Sequence, residues 1–299
     1  ALNQPADAEH FRLRLLKLMT AAELRKSAGG EGKVNVVIIG GGATGVELAA
    51  ELREASQVHA RYGFRRLDAR EDVRLTLLEG AERILAPLPE KVSASASALL
   101  RERGVDVLTR CRVARITPSQ VEDSEGRAFA ADVVVWAAGI QAPGLLRELG
   151  LPVARGGQVQ VDATLAVPGF DHVYALGDCA ACPQPDGRGV PPRAQAAHQQ
   201  ASYLAARLLR ASRGQALDDK PYVYRDHGSL VSIGTRSSVG NLMGNLFGST
   251  WFVQGLLARA MYVSLHLMHH QAVLGTLRTG VLAFARFLVK RATPLVKLH

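Results

Sequence analysis

The chain has 299 residues, a length that suits about two domains. Its three cysteines, an odd number, argue against a secreted disulfide framework and favour a reducing compartment. The formal net charge is +9, and no acidic residue follows Asp226, so positive charge concentrates toward the C-terminus. No apolar signal-peptide core follows Ala1, and we expect the sequence to begin inside a longer protein.

The first predicted elements are a helix and a short buried strand. Residues 8–26, AEHFRLRLLKLMTAAELRK, are predicted to form a helix that belongs to an earlier part of the protein. Residues 34–39 form an apolar run rich in β-branched side chains. Such a run is typical of a parallel strand that is buried on both faces.

A glycine-rich turn follows this strand, with Gly40, Gly42 and Gly45 at the GxGxxG spacing. The first glycine permits a tight turn, the second lets backbone amides approach a pyrophosphate, and the third lets the next helix pack against the strand. The sequence becomes helical from Thr44, so a phosphate would lie at a helix N-terminus, where unpaired amides and the helix dipole favour an anion. The pattern predicts nucleotide binding, with a purely structural turn as the alternative.

The choice of nucleotide depends on the end of the next predicted strand. Residues 61–72, RYGFRRLDARED, form a polar insertion, and the strand follows at residues 73–78 and ends at Glu79. A carboxylate at that point accepts hydrogen bonds from the adenosine ribose and repels a 2′-phosphate, which favours NAD over NADP. A solvated charge that closes a strand is the alternative, and Arg83 nearby weakens the exclusion of NADP.

The middle of the chain predicts one more helix and several short strands. The helix is expected at residues 90–104, and the strands at 105–109, 111–116 and 132–140, the last of which contains Gly139. Residues 172–180, HVYALGDCA, repeat the pattern of an apolar strand that ends in Gly177 and Asp178. Such an end suits the hydroxyl groups of a second extended cofactor, although Gly-Asp also closes ordinary turns.

The C-terminal region is both basic and apolar. In a helix, Arg286 and Lys290 lie on one stripe while apolar residues cover the rest, which suits an interface better than a nucleic-acid groove. The longest apolar segment, residues 260–277, is interrupted by His266, His269, His270 and Gln271, so we do not expect it to span a bilayer. We expect these histidines to contribute helix polarity or headgroup contact rather than a metal site.

Cys179 and Cys182 form a CxxC pair that suggests a second class of function, a thiol–disulfide flavoenzyme. A zinc site at this pair would need two further ligands, and the only candidates are the distant Cys111 and His198. Packing of small apolar side chains is the simpler interpretation.

Five motifs in order resemble the type II NADH:quinone oxidoreductases, single-chain flavoproteins of respiratory membranes, and are closest to their proteobacterial branch. The motifs are GGGATGVELAAEL, LLEGAERIL, VVVWAAGIQAP, YALGDCAACP and VPPRAQAAHQQ. The resemblance extends over nearly the whole chain, including YRDHGSLVSIG and the final PLVKLH.

The resemblance implies a role for each matching residue. Gly40, Gly42, Gly45 and Glu79 match the NADH-binding turn and its ribose carboxylate. Asp178, after Gly177, matches the acid that holds the ribityl and phosphate region of FAD. Gly139, near the end of the predicted strand 132–140, also belongs to the predicted cofactor-binding residues. Ala194, Gln195 and Ala196 match the segment beside the isoalloxazine. Glu47 and Gln195 match residues near the nicotinamide and quinone ends of the flavin and are the predicted catalytic pair, although Glu47 also suits a simple helix-dipole partner.

The implied fold is an α/β flavoprotein with two dinucleotide-binding domains, the NADH domain being inserted in the FAD domain. We expect a connecting helix in residues 1–32, the Rossmann-like NADH domain in 33–142, the second half of the FAD domain in 143–240, and amphipathic membrane-associating helices in 241–299. The family's first GxGxxG is absent from this sequence, so the FAD domain is expected to be incomplete.

The resemblance implies that hydride passes from NADH to FAD and that electrons then pass to a membrane quinone. It also implies an anionic lipid surface as partner, at the cytoplasmic face of the inner membrane, and leaves a homodimer open; no nucleic-acid partner is expected. Besides the thiol–disulfide alternative, a non-catalytic NAD-binding fragment stays open because the first FAD turn is missing.

Overall fold

The computed structural model describes residues 4–217, 220–234, 238–243 and 250–292. The fold is α/β, as predicted, and the chain forms two compact units. The first unit contains the residues up to 138 together with those from 228 onward, and the second contains residues 139–227.

The helices and strands alternate through the first part of the chain. The helices are α1 (Pro5–Ser27), α2 (Ala43–Gly63), α3 (Glu90–Glu102), α4 (Leu145–Glu148), α5 (Ala194–Ser212), α6 (Leu256–Leu274) and α7 (Thr276–Ala292). The strands of the first unit's amino-terminal part are β1 (Val34–Ile39), β2 (Val73–Leu78), β3 (Val105–Leu108), β4 (Val113–Ile116), β5 (Gln120–Asp123), β6 (Ala128–Ala130) and β7 (Val133–Trp136). The later strands are β8 (Val159–Gln160), β9 (Ala180–Ala181), β10 (Gly228–Ser232), β11 (Ser238–Met243) and β12 (Thr250–Gln254).

The first unit is built on a parallel sheet with the strand order β3-β2-β1-β7. Val36 and Ile38 of the central strand β1 point into the core on the helical side of the sheet, whereas Val37 and Ile39 point to the opposite side. Successive side chains of a strand alternate between faces, so a strand covered on both sides must be apolar throughout. This explains the apolar run of β1, which only the half-buried Asn35 interrupts.

Two layers cover this sheet. On one side lie α1, α2 and α3, which contribute Met19, Val46 and Leu100 to the main core. On the other side lies the antiparallel meander β4-β5-β6, which buries Val121 against Val37 of β1. The parallel sheet, which carries the glycine turn after β1, therefore lies between a layer of helices and the β4-β5-β6 sheet.

The region after residue 227 adds an antiparallel sheet, β10-β11-β12, to the same unit. This sheet contacts α2 and α3, and Val231, Ile233 and Val239 join the main core. Helix α6 packs against the three strands and α7 packs against α6, with Gly275 between the two helices at φ +78°. The positive φ ends α6 and lets the chain turn into α7.

The second unit has a smaller core and little regular structure. Strands β8 and β9 pair in parallel, and a single 3₁₀ turn occupies Gly177–Cys179. The long helix α5 contributes Leu204 to a core that also holds Val159, Leu165 and Tyr222.

Three sequence predictions differ from the structure. The strand predicted at 132–140 is shorter, because β7 ends at Trp136 and Gly139 lies beyond it. Residues 172–176 do not form a strand, because Tyr174 makes a single isolated bridge to Ala166 and no ladder follows. An apolar run in a sequence indicates that the segment is buried. A strand also requires an adjacent strand whose backbone forms hydrogen bonds with it. Helix α2 extends to Gly63 and so takes up the start of the predicted polar insertion.

The predicted domain ranges remain predictions, but the compact units divide the chain at other points. The divisions fall after residues 138 and 227, whereas we predicted them after residues 142 and 240. The predicted division after residue 240 lies within β11, which pairs with both β10 and β12.

Candidate functional site

The glycine turn after β1 has the geometry of a nucleotide-binding turn. Gly40 has φ +113°, and a Cβ there would lie 2.7 Å from the backbone of Ala137 and Ala138, at the end of the neighbouring strand β7. A Cβ at Gly45 would overlap the carbonyl oxygen of Gly40. Both positions therefore need glycine for close backbone approach, as the motif predicts.

Gly42 differs from these two positions because it faces open space. It is the N-cap of α2 and is exposed, and a Cβ there would meet no atom within 4 Å. Within the described residues, the amides of Ala43 and Thr44 have no protein acceptor. The helix thus presents unpaired amides and the positive end of its dipole to an open surface, which is the arrangement that a pyrophosphate requires.

Glu79 lies at the carboxyl end of β2, beside this turn. Its Oε2 accepts a hydrogen bond from the amide of Gly41 at 2.5 Å, and its Oε1 accepts one from the amide of Ala81 at 2.7 Å. A carboxylate has about four lone-pair sites, so two remain for the hydroxyl groups of a ribose. The structure brings Gly40, Gly42, Gly45 and Glu79 together within the first unit.

The guanidinium of Arg83 is hydrogen-bonded within the loop that follows β2. Its guanidinium donates to the carbonyl oxygens of Ala86 at 2.6 Å and Leu88 at 2.7 Å. These bonds hold the loop between β2 and α3. In the sequence analysis, Arg83 weakened the argument against NADP as the nucleotide. In the structure its guanidinium is bonded to carbonyl groups of its own loop.

The second unit holds the other predicted binding residues. Gly177 has φ +73°, and its amide donates to Oε1 of the buried Gln200 at 2.7 Å, which joins the 3₁₀ turn to α5. Asp178 is exposed, and within the described residues no donor is hydrogen-bonded to its carboxylate. Gly139 also has a positive φ, +75°, and a Cβ there would meet no atom within 4 Å.

Ala194, Gln195 and Ala196 form the first turn of α5. Ala194 is exposed, Gln195 is half-buried, and Ala196 is buried with its amide bonded to the carbonyl oxygen of Arg193 at 2.9 Å. The side chain of Gln195 is bonded to the 226–227 segment at both ends of its amide group. The sequence did not indicate this partner, since Asp226 stood out only as the last acidic residue.

Glu47 belongs to α2 in the first unit, and its side chain contacts residues of β10 and α6. Its Oε1 accepts a hydrogen bond from the amide of Ser232 at 2.9 Å, and the Tyr262 hydroxyl also bonds to the carboxylate. Burial raises the pKa of Glu47, and the bonds from Ser232 and Tyr262 and the nearby His266 offset only part of that effect. Glu47 is therefore held by contacts with residues distant in sequence as well as lying in the first turns of α2. Ser232 and Tyr262 were not predicted, because they are distant in sequence.

The two cysteines differ in their surroundings, and only Cys182 belongs to the core of the second unit. The Sγ of Cys179 donates to the carbonyl oxygen of Leu176 at 3.1 Å, whereas Cys182 is buried. Burial raises the pKa of the Cys182 thiol, which lowers its thiolate fraction and its reactivity. In the part of the chain that the structure describes, no group of histidine, cysteine and acidic residues is arranged to hold a metal ion.

Helices α6 and α7 carry a row of exposed apolar side chains. Val273 is 83% exposed and Leu277 is 82% exposed, on either side of Gly275, and Phe284 is 63% exposed. Arg286 is exposed and contacts His270, while the side chain of Lys290 and the final PLVKLH lie outside the described residues. Among the described helices, none combines the length and the apolar character that crossing a bilayer requires.

Comparison with known proteins supports the resemblance inferred from the motifs. The sequence profile of the pyridine nucleotide-disulphide oxidoreductase family matches residues 2–201. A type II NADH:quinone oxidoreductase of Haemophilus influenzae is 37% identical over 93% of this chain and 62% of its own length. The protein named type II NADH:quinone oxidoreductase Ndh in Mycobacterium tuberculosis is 30% identical over 88% of this chain and 56% of its own length. This chain thus spans about three fifths of the curated relatives it matches.

Solved structures agree on the fold. The structure of NDH2 from Plasmodium falciparum in complex with NADH gives a TM-score of 0.75 at 17% identity, and covers 98% of this chain and 73% of that one. A NAD-dependent persulfide reductase from A. fulgidus gives a TM-score of 0.58 at 22% identity over 83% of this chain and 40% of that one. Both likenesses concern the architecture alone. Because the family profile covers two thirds of the sequence, the chain belongs to the pyridine nucleotide-disulphide oxidoreductase family.

Proposed function

We propose that this chain forms the NADH-binding and quinone-reducing part of a type II NADH:quinone oxidoreductase. The observation that carries the proposal is the relative of that name, which is 37% identical across 93% of this chain. The two binding surfaces described above agree with it, since each has the donors or acceptors that its cofactor requires.

NADH is the proposed substrate of the first unit. The pyrophosphate would bind the amides at the start of α2, next to Gly42, and the adenosine ribose would bind the carboxylate of Glu79. The guanidinium of Arg83 is held by backbone carbonyl groups of its own loop and is not free to pair with a 2′-phosphate, which would meet the negative charge of Glu79. NAD is therefore the proposed nucleotide, in preference to NADP.

FAD is the proposed cofactor of the second unit, and the residues fit it. The exposed carboxylate of Asp178 can accept bonds from ribityl hydroxyl groups, and the open space at Gly139 leaves room for close approach. Ala194, Gln195 and Ala196 would lie along the ring system, where α5 begins. When bound, FAD accepts a hydride from NADH and supplies electrons to a quinone.

Glu47 and Gln195 are the proposed catalytic residues. The raised pKa of Glu47 brings its carboxyl group closer to the range in which it can hold and release a proton, as reduction of a quinone demands. Gln195 would contact the ring of the cofactor or of the quinone through its amide group. The first assignment rests on burial and contacts, and the second on the position of Gln195 in the first turn of α5.

A substitution at Glu79 tests the nucleotide site. Glu79→Gln keeps the shape of the side chain but removes the charge, and we expect NADH binding to weaken by about 1–3 kcal/mol, the value of charge-assisted bonds. NADPH binding should change less, so the preference for NADH should narrow. Titration of both nucleotides measures this, and added FAD with a soluble quinone shows whether NADH oxidation falls in parallel.

Glu82→Gln is the matched control, because Glu82 is an exposed acid three residues away whose partner is Arg110. It removes the same charge from the same region and should leave the affinity for both nucleotides unchanged. If Glu79→Gln behaves like this control, Glu79 is only a strand-closing charge. If the chain supplied with FAD oxidises NADH with a disulfide but not with a quinone, the thiol–disulfide alternative replaces the proposed function.

Peripheral binding to an anionic membrane is the proposed role of α6 and α7. The exposed side chains of Leu277, Val281, Phe284 and Leu288 recur at helical spacing and so form one apolar face of α7. Arg278 and Arg286 lie on the same helix and are exposed. An apolar face with cations on the same helix is typical of helices that lie in a membrane interface. We place this surface at the cytoplasmic face of the inner membrane; dimerisation stays a prediction.

Vesicle flotation tests the membrane surface. The chain should float with vesicles that contain anionic lipid, and binding should fall as salt increases, since each basic residue near the surface contributes about 1 kcal/mol. Replacing Leu277 and Phe284 together by serine should abolish most of this binding, because it removes two exposed apolar anchors. Leu145→Ser with Leu149→Ser is the control, since both residues are 58% exposed but belong to the second unit. Equal loss of flotation in the two double variants would contradict the assignment.

A further inference from the structure

The parallel sheet of the first unit carries a cavity on the side that the β4-β5-β6 sheet covers. Its volume is about 500 Å³, which is within the range of small-molecule sites. The walls come from the strands β1, β2, β3 and β6, together with Arg101 of α3. The cavity lies at the amino ends of β1 and β2, whereas the glycine turn and Glu79 lie at their carboxyl ends.

The cavity forms because the covering sheet reaches only part of the parallel sheet. Val37 of β1 and Leu78 of β2 lie in the core between the two sheets. Asn35 and Thr76 come two residues earlier in the same strands, and so lie on the same face. Both line the cavity instead of joining that core. The uncovered part of this face is therefore the floor of the cavity.

Thr76 is the most buried polar side chain of this floor, with an exposed fraction of 7%. Its neighbours Leu75 and Leu77 belong to the main core on the helical side, so the side chain of Thr76 points the other way, toward the cavity. Within the described residues, no hydrogen bond joins its hydroxyl group to another part of the protein. Burial of an unbonded hydroxyl group is unfavourable, so this group is left to water or to a ligand in the cavity.

The charged groups of the cavity are mainly positive. Arg74 and Arg101 line it together with one acid, Asp106, whose Oδ2 lies 3.6 Å from Nε of Arg74. Arg101 donates to the carbonyl oxygen of Val107 at 3.2 Å, at the edge of the sheet. Within the described residues, the other N–H groups of the two guanidinium groups have no hydrogen-bond partner. Such groups bind a carboxylate through paired hydrogen bonds, so the cavity favours an anion.

The remaining walls are apolar. Leu108 and Phe129 line the cavity and are partly buried, and each also packs against the core between the two sheets. Ala128 and Ala130 complete this wall without long side chains. A ligand that fits must therefore combine an apolar body with an anionic end.

We propose that this cavity is a binding site for a small apolar carboxylate. Thr76 and Arg74 lie two residues apart on one face of β2, so one carboxylate can accept hydrogen bonds from the hydroxyl group and from the guanidinium group. Arg101 pairs with the same anion from the edge of the sheet. The apolar body contacts Leu108 and Phe129.

Titration with 2-naphthoate tests the site, and 2-naphthamide is the matched probe without a charge. The backbone amide resonances of the 299-residue chain show where each probe binds. We expect 2-naphthoate to shift the resonances of Thr76, Val107 and Phe129 most, and its affinity to fall as salt increases. We expect 2-naphthamide to bind at least about tenfold more weakly, because it cannot form charge-assisted bonds.

Two variants assign the anion to named groups. Arg74→Gln with Arg101→Gln should weaken 2-naphthoate binding at least about tenfold, since both cations are removed. Arg110→Gln with Arg115→Gln is the control, because these exposed arginines of the same unit pair with Glu82 and Glu122 outside the cavity. This control should leave the affinity unchanged.

Thr76→Val keeps the shape of the side chain and removes the hydroxyl group. It should weaken 2-naphthoate binding about three- to fivefold, the effect of one lost hydrogen bond. The midpoint of thermal unfolding of the ligand-free chain should not fall, because no hydrogen bond within the protein is lost. A lower midpoint would show that the hydroxyl group already has a protein partner, which contradicts the inference.

Three other results would overturn the proposal. One is equal affinity for 2-naphthoate and 2-naphthamide, since the cations would then play no part. Another is an equal loss of affinity in the two double arginine variants, which would point to net charge alone. The third is a set of shifts confined to the glycine turn or to α7, which would place the probe on those surfaces instead of in the cavity.

Discussion

Gly45→Ala is expected to destabilise the ligand-free protein by about 1–3 kcal/mol, the usual effect of an added group in a closely packed site. The reason is local: a Cβ at residue 45 would overlap the carbonyl oxygen of Gly40, so α2 must move away from the turn after β1. Movement of the helix also displaces the amides that face the open surface at Gly42. NADH affinity should therefore fall at least about tenfold. Thermal unfolding and nucleotide titration measure the two effects.

Gly42→Ala is the informative counterpart, because it changes the same motif without a clash. A Cβ at residue 42 meets no protein atom within 4 Å, so the ligand-free protein should keep its stability to within about 1 kcal/mol. The added methyl group occupies the space through which a pyrophosphate would approach the helix, and NADH affinity should fall here too. A Gly42→Ala variant that binds NADH normally would contradict the assignment of this turn. Equal instability of the two variants would contradict the packing argument.

Arg53→Met should lower the free energy of unfolding by about 2–4 kcal/mol, because it leaves buried carbonyl groups without donors. Arg53 is 1% exposed, and its guanidinium donates to the carbonyl oxygens of Ala69 at 2.5 Å and Gly104 at 2.6 Å. It thereby joins α2 to the loop before β2 and to the turn between α3 and β3. Methionine fills a similar volume without any donor. Chemical denaturation of the wild type and the variant measures the difference.

Arg70→Met is the control for this prediction. Arg70 is exposed and donates to the carbonyl oxygen of Glu102 at 2.9 Å, so it occupies the same neighbourhood as Arg53 and carries the same charge. Its loss should change stability by no more than about 0.5 kcal/mol, as is usual for a surface position. Similar losses in the two variants would show that net charge, rather than the buried bonds, holds this region together.

Features that depend on neighbouring residues were predictable. The apolar run of β1, the glycine turn and the start of α2 follow from local rules, because a buried strand, a tight turn and a helix N-terminus each leave a pattern within a few positions. Glu79 was also predictable, since the end of a strand places its side chain beside the turn that follows the adjacent strand. The structure agrees with each of these local assignments.

Features that depend on distant residues were not predictable. Nothing near Glu47 in the sequence indicates that Ser232 and Tyr262 lie against it, since they are more than 180 positions away. Arg53 looked like an ordinary charged helix residue, yet it is among the most buried side chains in the described part of the chain. Burial of a charge can be judged only when the groups that compensate for it are in place.

The sequence by itself determined the α/β class and the position of the nucleotide turn, because both depend on local backbone chemistry and on residue spacing. It also determined the family resemblance, which five motifs in order carry. The tertiary structure alone decided that residues 172–176 lack a strand partner and that the side chain of Gln195 is hydrogen-bonded to Asp226 and His227. It also decided that Glu47 of α2 is half-buried against Ser232 and Tyr262. Pairing of strands, orientation of an amide group and the pKa of a carboxyl group each depend on atoms that the fold brings close, and no local pattern encodes that proximity.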